Sequence, residues 1–166
     1  MAEATQSRTT AAAKKKSSAP AGQDAIELLK ADHKEVAEML KEFESADEGD
    51  KPDLAEKICK ALTVHAQIEE EIFYPAAYDA LGEDDTDLLD EAEVEHGSIK
   101  DLVAAIENHD DDERFEAQVT VMGEWVKHHV KEEETEMFPK LRKTDMDMTS
   151  IGAELAERKA ELMAED

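Results

Sequence analysis

The chain has 166 residues, enough for one domain with its own hydrophobic core. Charged residues make up 38% of it and aromatic residues only 4%, a composition typical of long helices rather than of a β-sheet. Acidic residues outnumber basic ones by 44 to 19, and the formal charge of −25 disfavours binding to nucleic acid or to an anionic membrane.

The N-terminal segment, residues 1–22, is rich in Ala, Ser, Thr and Lys. Such a composition cannot offset the entropy lost on ordering, so we expect a flexible tail. The lysines at 14–16 indicate a solubilising tail, with weak contact to nucleic acid as the alternative. The segment lacks the apolar centre of a secretory signal, and no apolar run in the chain is long enough to span a membrane. We therefore expect a cytoplasmic protein.

Two helices are predicted in the first half of the chain. The first runs from about Asp24 to Ser45, and the second begins near Pro52, which suits the first turn of a helix, and ends near Ala80. In both, apolar residues recur every three or four positions, as a buried stripe on a helix requires. In the first helix these residues are Ile26, Leu29, Val36, Leu40 and Phe43.

Two further long helices are predicted in the second half, followed by a short one. The third helix follows the acidic turn at 83–85 and ends near 108–110, and the fourth begins near Asp112. A short fifth helix is expected after Thr149 or Ser150, either of which can cap it. Its apolar residues are Ile151, Leu155 and Leu162.

Four long amphipathic helices with short connections predict an all-α fold, an up-down-up-down four-helix bundle. We assign the bundle to residues 23–143 and the flexible tail to 1–22. Residues 144–166 are predicted to form a linker and the short C-terminal fifth helix.

Two segments of the chain share one pattern. Glu69 follows His65 by four residues, Glu133 follows His129 by four, and in both segments a Pro follows the His by ten. Residues four apart lie on one face of a helix, so each segment directs an imidazole and a carboxylate into the same space. This pair of ligand types suits iron or another first-row metal.

One histidine lies on the apolar stripe of each long helix. The first two are separated by 32 residues and the last two by 33. The first member of each pair follows an acid, and the second begins a His-x-x-x-Glu motif. The chain therefore resembles two helical hairpins of one design, related by a pseudo-twofold axis. The four histidines are His33, His65, His96 and His129.

Glu69 and Glu133 fall on the buried stripes, where an ionised carboxylate without a partner costs several kcal/mol. A metal ion offsets that cost, and carboxylates can bridge two ions about 3.5–4 Å apart. A single histidine on such a stripe is more often a packed core residue, and a single His-x-x-x-Glu pair is more often solvated. Four stripe histidines combined with two paired glutamates favour a metal site instead.

His128 offers a second pairing, because it makes its own motif with Glu132. His129 is preferred as the ligand, since it keeps the ten-residue distance to the following Pro and continues the apolar stripe. We expect His128 near the rim of the bundle. His109 falls in an Asp-rich turn and is expected to be exposed.

Glu70 and Glu134 follow the two motif glutamates, and a helix rotates each by ~100° from its neighbour. We expect them at the surface or behind the ligands. Tyr74 and Tyr78 are interpreted as core packing, with a hydrogen-bonding or radical role as the alternative.

Motifs of other enzyme classes are absent from the sequence. Cys59 is the single cysteine, which excludes an intrachain disulfide and a thiolate metal cluster. Neither Cys59 nor Ser98 has the histidine and acid of a nucleophilic site, and no glycine-rich loop can hold a phosphate.

Together these motifs resemble the hemerythrin family, in the branch known as HHE domains or bacterial hemerythrin-like proteins. The resemblance covers about residues 24–142. It implies a four-helix bundle that holds a non-haem di-iron centre with an oxo or hydroxo bridge. The motifs that carry it are Asp32-His33, His65-x-x-x-Glu69, Glu95-His96 and His129-x-x-x-Glu133.

The resemblance also implies a role for each ligand. Glu69 and Glu133 would bridge the two irons. His33 and His65 would serve one iron, and the two histidines of the second hairpin would serve the other.

Oxygen-carrying members of the family have a fifth histidine, in a His-x-x-x-His pair on the third helix. Here the residues four away from His96 are Ala92 and Lys100, and Glu93 or a water is expected to fill the vacancy. A more open and carboxylate-rich iron pair suits sensing or iron handling better than oxygen transport. The ferritin-like di-iron bundle ranks behind, because it needs two Glu-x-x-His pairs and the chain has one.

The predicted function is thus a non-haem di-iron protein that binds or senses O2, peroxide or nitric oxide in stress response or iron handling. One alternative is an enzyme that consumes peroxide or nitric oxide at the same centre. The other is a metal-free or iron-buffering helical bundle. We expect a binding protein rather than an enzyme, with weak peroxidase- or catalase-like activity at most, and the sequence identifies no protein partner.

Overall fold

The computed structural model describes residues 22–82, 85–108 and 113–165, and these residues form helices and turns without any β-strand. The predicted N-terminal tail therefore lies outside the described residues, apart from Gly22. The α-helices in chain order are α1 (Ala25–Ser45), α2 (Lys51–Ile68), α3 (Tyr74–Leu81), α4 (Asp87–Glu107), α5 (Phe115–Glu132), α6 (Phe138–Leu141) and α7 (Met148–Ala164).

Two of the bundle helices contain a π-helical turn. The turn π1 (Glu69–Phe73) joins α2 to α3, and the turn π2 (Glu133–Met137) joins α5 to α6. A π-helix bonds each N–H to the carbonyl five residues earlier. Accordingly, the N–H of Tyr74 donates to the Glu69 carbonyl, and that of Phe138 donates to the Glu133 carbonyl. Both turns begin at the glutamate of a His-x-x-x-Glu motif.

The four long helices form the predicted up-down-up-down bundle, so the fold prediction is confirmed. Helix α1 packs against α2, α2 against α4, and α4 against α5, while a looser contact between α5 and α1 closes the ring. Within the described residues, every helix is too short or too polar to cross a lipid bilayer.

The core consists of two apolar clusters, one towards each end of the bundle. Each motif histidine falls between the clusters along its helix. His33, for example, follows Leu29 of one cluster and precedes Val36 of the other. A layer of polar side chains therefore crosses the middle of an otherwise apolar interior.

Most helix ends agree with the sequence prediction, but α5 begins at Phe115 rather than near Asp112, which lies outside the described residues, and the start of the fifth helix also differs. Asp24 caps α1 by accepting a hydrogen bond from the N–H of Glu27, at 3.2 Å. Helix α7 has 17 residues, and its cap is Asp147, which accepts from the N–H of Ser150 at 3.0 Å. The predicted cap, Thr149 or Ser150, is wrong because the helix begins earlier, at Met148.

Helix α7 packs against α1 and α2 and covers one side of the bundle. Its apolar residues Leu155 and Leu162 join the same core cluster as Leu29 and Ile68. Lys159 of α7 also reaches inward, where its Nζ atom lies 2.5 Å from Oδ1 of Asp32.

Candidate metal centre

The six predicted ligands meet in the polar layer of the bundle. All of them are buried, with at most 7% of the residue exposed, and the two glutamates are almost completely buried. They come from α1, α2, α4 and α5 and from the first residue of each π turn. These residues are His33, His65, Glu69, His96, His129 and Glu133.

The first cluster consists of His33, His65, Glu69 and Glu133. The Nε2 atoms of the two histidines lie 3.2 Å apart. Oε2 of Glu133 lies 3.2 Å from Nε2 of His33, and Oε1 of Glu69 lies 3.3 Å from Nε2 of His65. Four donor atoms from three helices thus surround one small volume.

The second cluster consists of Glu69, His96 and His129. The Nε2 atoms of its two histidines lie 3.1 Å apart, and Oε2 of Glu69 lies 3.3 Å from Nε2 of His96. Glu69 therefore turns one oxygen to each cluster. Oε2 of Glu133 also lies between the clusters, 3.5 Å from Nε2 of His129.

Each imidazole is held from behind by an outer carboxylate on a neighbouring helix. Nδ1 of His65 lies 3.4 Å from Asp32, and Nδ1 of His129 lies 2.9 Å from Glu95. In both hairpins this outer acid directly precedes the first histidine of the pair. Asp32, which precedes His33, thus supports His65, and Glu95, which precedes His96, supports His129.

The other two histidines use the acid that follows a motif glutamate. Nδ1 of His33 lies 2.8 Å from Glu134, and Nδ1 of His96 lies 3.0 Å from Glu70. These acids cross between hairpins, so the four supports repeat the pseudo-twofold relation predicted from the spacing. Such supports fix the orientation and tautomer of a ligand histidine.

The hydrogen bonds to the outer carboxylates determine which ring nitrogen of each histidine carries a proton. An ionised carboxylate only accepts hydrogen bonds, so each Nδ1 carries the proton and donates it. A neutral imidazole then presents an unprotonated Nε2. The Nε2 atoms of His33 and His65 nevertheless point at each other, as do those of His96 and His129. Two lone pairs this close repel, so the arrangement needs a positive charge between them, either a proton on one of the rings or a metal ion.

The two buried glutamates also require a positive charge in the site. Among the described residues, Oε1 of Glu69 and Oε2 of Glu133 are buried and receive no hydrogen bond. A buried carboxylate oxygen without a partner is costly. Around an ion with bonds of about 2.0–2.2 Å, neighbouring donor atoms lie roughly 3.0–3.5 Å apart. The distances within both clusters match this spacing, so the residues fit a pair of metal ions.

The pKa values of the ligand side chains indicate a negative electrostatic potential in the polar layer. Burial lowers the pKa of an imidazole, but Glu69 and Asp32 outweigh it and raise the pKa of His65 to about 10. Glu133 likewise raises the pKa of His33 against the effect of burial. For Glu69 burial favours the neutral form, yet His65 and His96 hold its pKa well below the usual value. The interior thus attracts positive charge.

Tyr74 belongs to the polar layer, whereas the sequence interpretation favoured core packing for it and kept a hydrogen-bonding role only as the alternative. Its hydroxyl lies 2.9 Å from Oε1 of Glu133, to which it donates, and 3.2 Å from Nε2 of His96. Burial and the nearby carboxylates of Glu133 and Glu69 raise the pKa of Tyr74 well above its usual value. The phenol is therefore a neutral donor at the second cluster.

The vacancy left by the absent fifth histidine is not filled by Glu93, because the structure places that residue on the exposed side of α4. The Tyr74 hydroxyl lies beside His96 instead. His128 is 55% exposed in its side chain and lies outside the polar layer, near the rim as expected. His109 lies outside the described residues.

A small cavity lies among the histidines. Its volume is about 20 Å3, and Asp32 and the four histidines line it together with apolar residues such as Val36 and Leu62. A wider groove of about 640 Å3 runs between α1 and α5 and also reaches His33. His33, Val126 and Val130 line both spaces. The groove between α1 and α5 therefore reaches one of the predicted ligands, His33, from the surface.

Comparison with known proteins agrees with the geometry. The chain is similar to a crystal structure from Mycobacterium kansasii, described as a hemerythrin HHE cation binding domain-containing protein. The TM-score is 0.71 at 22% identity, with 84% of this chain and 87% of that chain covered. At this identity the likeness concerns the fold alone.

The chain is also 28% identical over 117 residues to a curated protein of Nostoc sp. described as a DNA nickase. That match covers 70% of this chain but only 33% of the relative. The family described as "Hemerythrin HHE cation binding domain" matches residues 24–141. This match spans the whole bundle and every residue of both clusters, and the chain belongs to the hemerythrin HHE cation-binding family.

Proposed function

We propose that the protein binds two iron ions, one at each cluster, and through them a small molecule such as O2, peroxide or nitric oxide. The observation that carries the proposal is the pair of facing Nε2 atoms in each cluster, combined with two buried carboxylate oxygens that receive no hydrogen bond. Imidazole with carboxylate suits iron, and the family implies a cation there.

The ligand roles follow from which atoms face which cluster. Glu69, with one oxygen towards each cluster, would be shared by the two ions, and Glu133 would be the second shared carboxylate, because its Oε2 atom lies near a histidine of each cluster. When bound, the iron pair supplies reversible redox chemistry and open positions for an external ligand.

The remaining residues orient and protect the site. The four outer carboxylates orient the imidazoles and, by accepting a hydrogen bond from Nδ1, would leave each Nε2 available to a metal ion. The Tyr74 hydroxyl donates to Glu133 and thereby fixes the second bridge. Phe73 and Phe138 are fully or almost fully buried next to the polar layer and keep water out of it.

The cavity favours small ligands. A space of about 20 Å3 holds little more than one water-sized molecule, so its volume excludes a larger substrate. The groove between α1 and α5 gives such a molecule a path to His33. These features support a ligand of two or three atoms.

The DNA nickase relative does not change the proposal. The chain spans a third of that protein, so the activity in its description is not transferred. The formal charge of −25 also opposes contact with a DNA backbone. The two alternatives from the sequence, turnover of peroxide or nitric oxide and iron buffering, use the same centre and are separated by experiment.

Iron content is the direct test. Protein produced with excess iron should contain two irons per chain and absorb in the near ultraviolet. Glu133→Gln should lose at least half of the iron, because it removes the charge of one bridge. Glu136→Gln, an exposed glutamate in the same π turn, removes the same charge and should retain both irons. Equal iron content in the two variants would contradict the proposed centre.

Reaction with ligands then distinguishes the functions. A binding or sensing protein should show spectral changes with O2 or azide that reach a plateau at a fixed ratio to iron. A sustained release of product from peroxide would favour an enzyme. Iron binding without any spectral response to these ligands would favour a buffer.

A further inference from the structure

A second group of metal-binding side chains lies on the outside of the bundle. Nε2 of His128 lies 3.1 Å from Oε1 of Glu95 and 3.3 Å from Oε1 of Glu132. His128 and Glu132 are four residues apart on α5, and Glu95 comes from α4. We name these three residues the outer cluster. The imidazole is 55% exposed, so solvent reaches it directly.

We propose that the outer cluster binds one divalent first-row metal ion, separately from the central site. Its donor set repeats the central design, a His and a Glu four residues apart with a carboxylate from the next helix. Its donor spacings of 3.1 and 3.3 Å fall within the range of the central clusters. One imidazole and two carboxylates suit Zn2+, Mn2+ or Fe2+.

Glu95 is already oriented for this role. Its Oε2 atom accepts a hydrogen bond from Nδ1 of His129 at 2.9 Å, and only 8% of the residue is exposed. The carboxylate is therefore fixed with Oε1 directed at His128. A ligand held in place beforehand loses less conformational entropy when the metal binds.

In the first hairpin, the positions that correspond to the outer cluster hold different kinds of residue. Val64 and Ile68 stand where the second hairpin has His128 and Glu132, and both are buried in the core cluster to which α7 contributes. Asp32, which corresponds to Glu95, is paired with Lys159 of α7. One hairpin thus carries apolar residues beneath a covering helix, whereas the other carries metal-binding side chains open to solvent.

The surroundings of the outer cluster also favour a cation. It lines a surface depression of about 470 Å3, together with Asp90, Glu91 and Val94. The lining contains four carboxylates, since Glu95 and Glu132 belong to it.

Zn2+ is the probe for the test. The iron-loaded full-length protein is titrated with Zn2+ by calorimetry, and both metals are measured after dialysis. Wild type should bind one Zn2+ per chain with its iron unchanged. His128→Ala and Glu132→Gln should each weaken this binding at least tenfold and leave the iron in place.

Glu124→Gln is the matched control, because Glu124 lies exposed on α5 one turn before His128 and carries the same charge as Glu132. Its Zn2+ affinity should stay within twofold of wild type. Equal Zn2+ binding by wild type and His128→Ala, or an equal loss in Glu124→Gln, would overturn the proposal. Circular dichroism of each variant confirms folding.

The result is independent of the central iron. If the central clusters do not retain iron, they are open to Zn2+ as well, and the difference between wild type and His128→Ala is still one ion per chain. If iron is retained but that difference is zero, only the outer cluster fails.

Discussion

Tyr74 and Phe138 occupy the same position in the two hairpins, nine residues after a motif histidine and five after a motif glutamate. Each donates its N–H to the carbonyl of that glutamate. The Phe138 ring stacks on His33 with centroids 6.0 Å apart, and the Tyr74 ring lies 5.4 Å from that of His96. The phenol hydroxyl therefore makes the second cluster chemically different from the first.

Replacing Tyr74 by Phe should make the clusters alike. Oε1 of Glu133 then loses the donor at 2.9 Å, and a buried acceptor without a partner costs about 1–3 kcal/mol. We expect Tyr74→Phe to retain two irons, to change the absorption spectrum and azide affinity, and to lower the unfolding free energy by that amount. Iron analysis, spectroscopy and urea denaturation measure these effects.

Tyr78→Phe is the control for this substitution. Tyr78 lies one turn later, where its hydroxyl donates to Asp90 at 2.7 Å outside the polar layer. Its removal should leave the spectrum unchanged. A Tyr74→Phe spectrum identical to that of wild type would show that the hydroxyl does not influence the centre.

The fold and the six residues of the polar layer could be predicted because they follow from helical periodicity. A buried His or Glu interrupts an apolar stripe visibly, as at His65 and Glu69. Tyr74 could not be found in this way. In an α-helix five residues turn about 500°, so Tyr74 would point about 140° away from Glu69. The extra residue of the π turn brings it back to the same face, and the apolar spacing does not reveal that turn.

The outer carboxylates were visible in the sequence only in part. Asp32 and Glu95 attract notice because each precedes a stripe histidine. The histidine that each acid supports lies on a neighbouring helix. The pairing therefore depends on how the helices pack, and the residues around Asp32 or Glu95 in the sequence do not reveal it. The docking of α7 is hidden for the same reason, since its apolar residues fit more than one face of a bundle.

Lys159 tests the contribution of α7 to the site. Burial opposes the ionised form of Asp32, but its hydrogen bonds to His65 and Lys159 outweigh burial and lower its pKa. Lys159→Met leaves this buried carboxylate with one partner fewer. We expect the unfolding free energy to fall by about 1–3 kcal/mol and iron binding to weaken several-fold, because Asp32 holds His65.

Arg158→Met serves as the comparison for Lys159→Met. Arg158 pairs with Glu71 at 2.7 Å on the surface of the same helix. A surface pair contributes at most about 1 kcal/mol, and the substitution should not alter iron binding. Similar losses of iron in both variants would show that α7 acts only through general stability.

The groove between α1 and α5 exists where the pseudo-symmetry breaks. Lys100 lies four residues after His96 and binds Glu70 at 2.6 Å, whereas the equivalent position after His33 is Ala37, which lines the groove. We expect Ala37→Lys to pair with Glu134 and to close the opening. Azide association with the iron-loaded protein, measured by stopped flow, should slow at least fivefold while the iron content stays constant.

Ala105→Lys adds the same charge at an exposed position on α4, outside the groove. It should leave the azide rate within twofold of wild type. Equal rates for wild type and Ala37→Lys would mean that ligands reach the centre by another route.

Two helical glycines should respond to alanine with opposite signs. At Gly152 in α7, an added Cβ would overlap the Gln23 carbonyl oxygen and would lie 2.8 Å from the N atom of Ala25. Both are backbone atoms, so α7 must move away from α1. We expect Gly152→Ala to lower the unfolding free energy by at least about 1–3 kcal/mol, the usual cost of overpacking.

Gly97 lies in the interior of α4, where an added Cβ would meet nothing within 4 Å. Alanine there only reduces the backbone entropy lost on folding, so Gly97→Ala should raise the unfolding free energy by about 0.5–1 kcal/mol. Urea denaturation followed by circular dichroism measures both variants. Because Gly152 sets the approach of α7, its alanine variant should also weaken the Lys159–Asp32 contact and reduce iron retention. A Gly152→Ala protein as stable as Gly97→Ala would mean that α7 does not dock at residues 23–25.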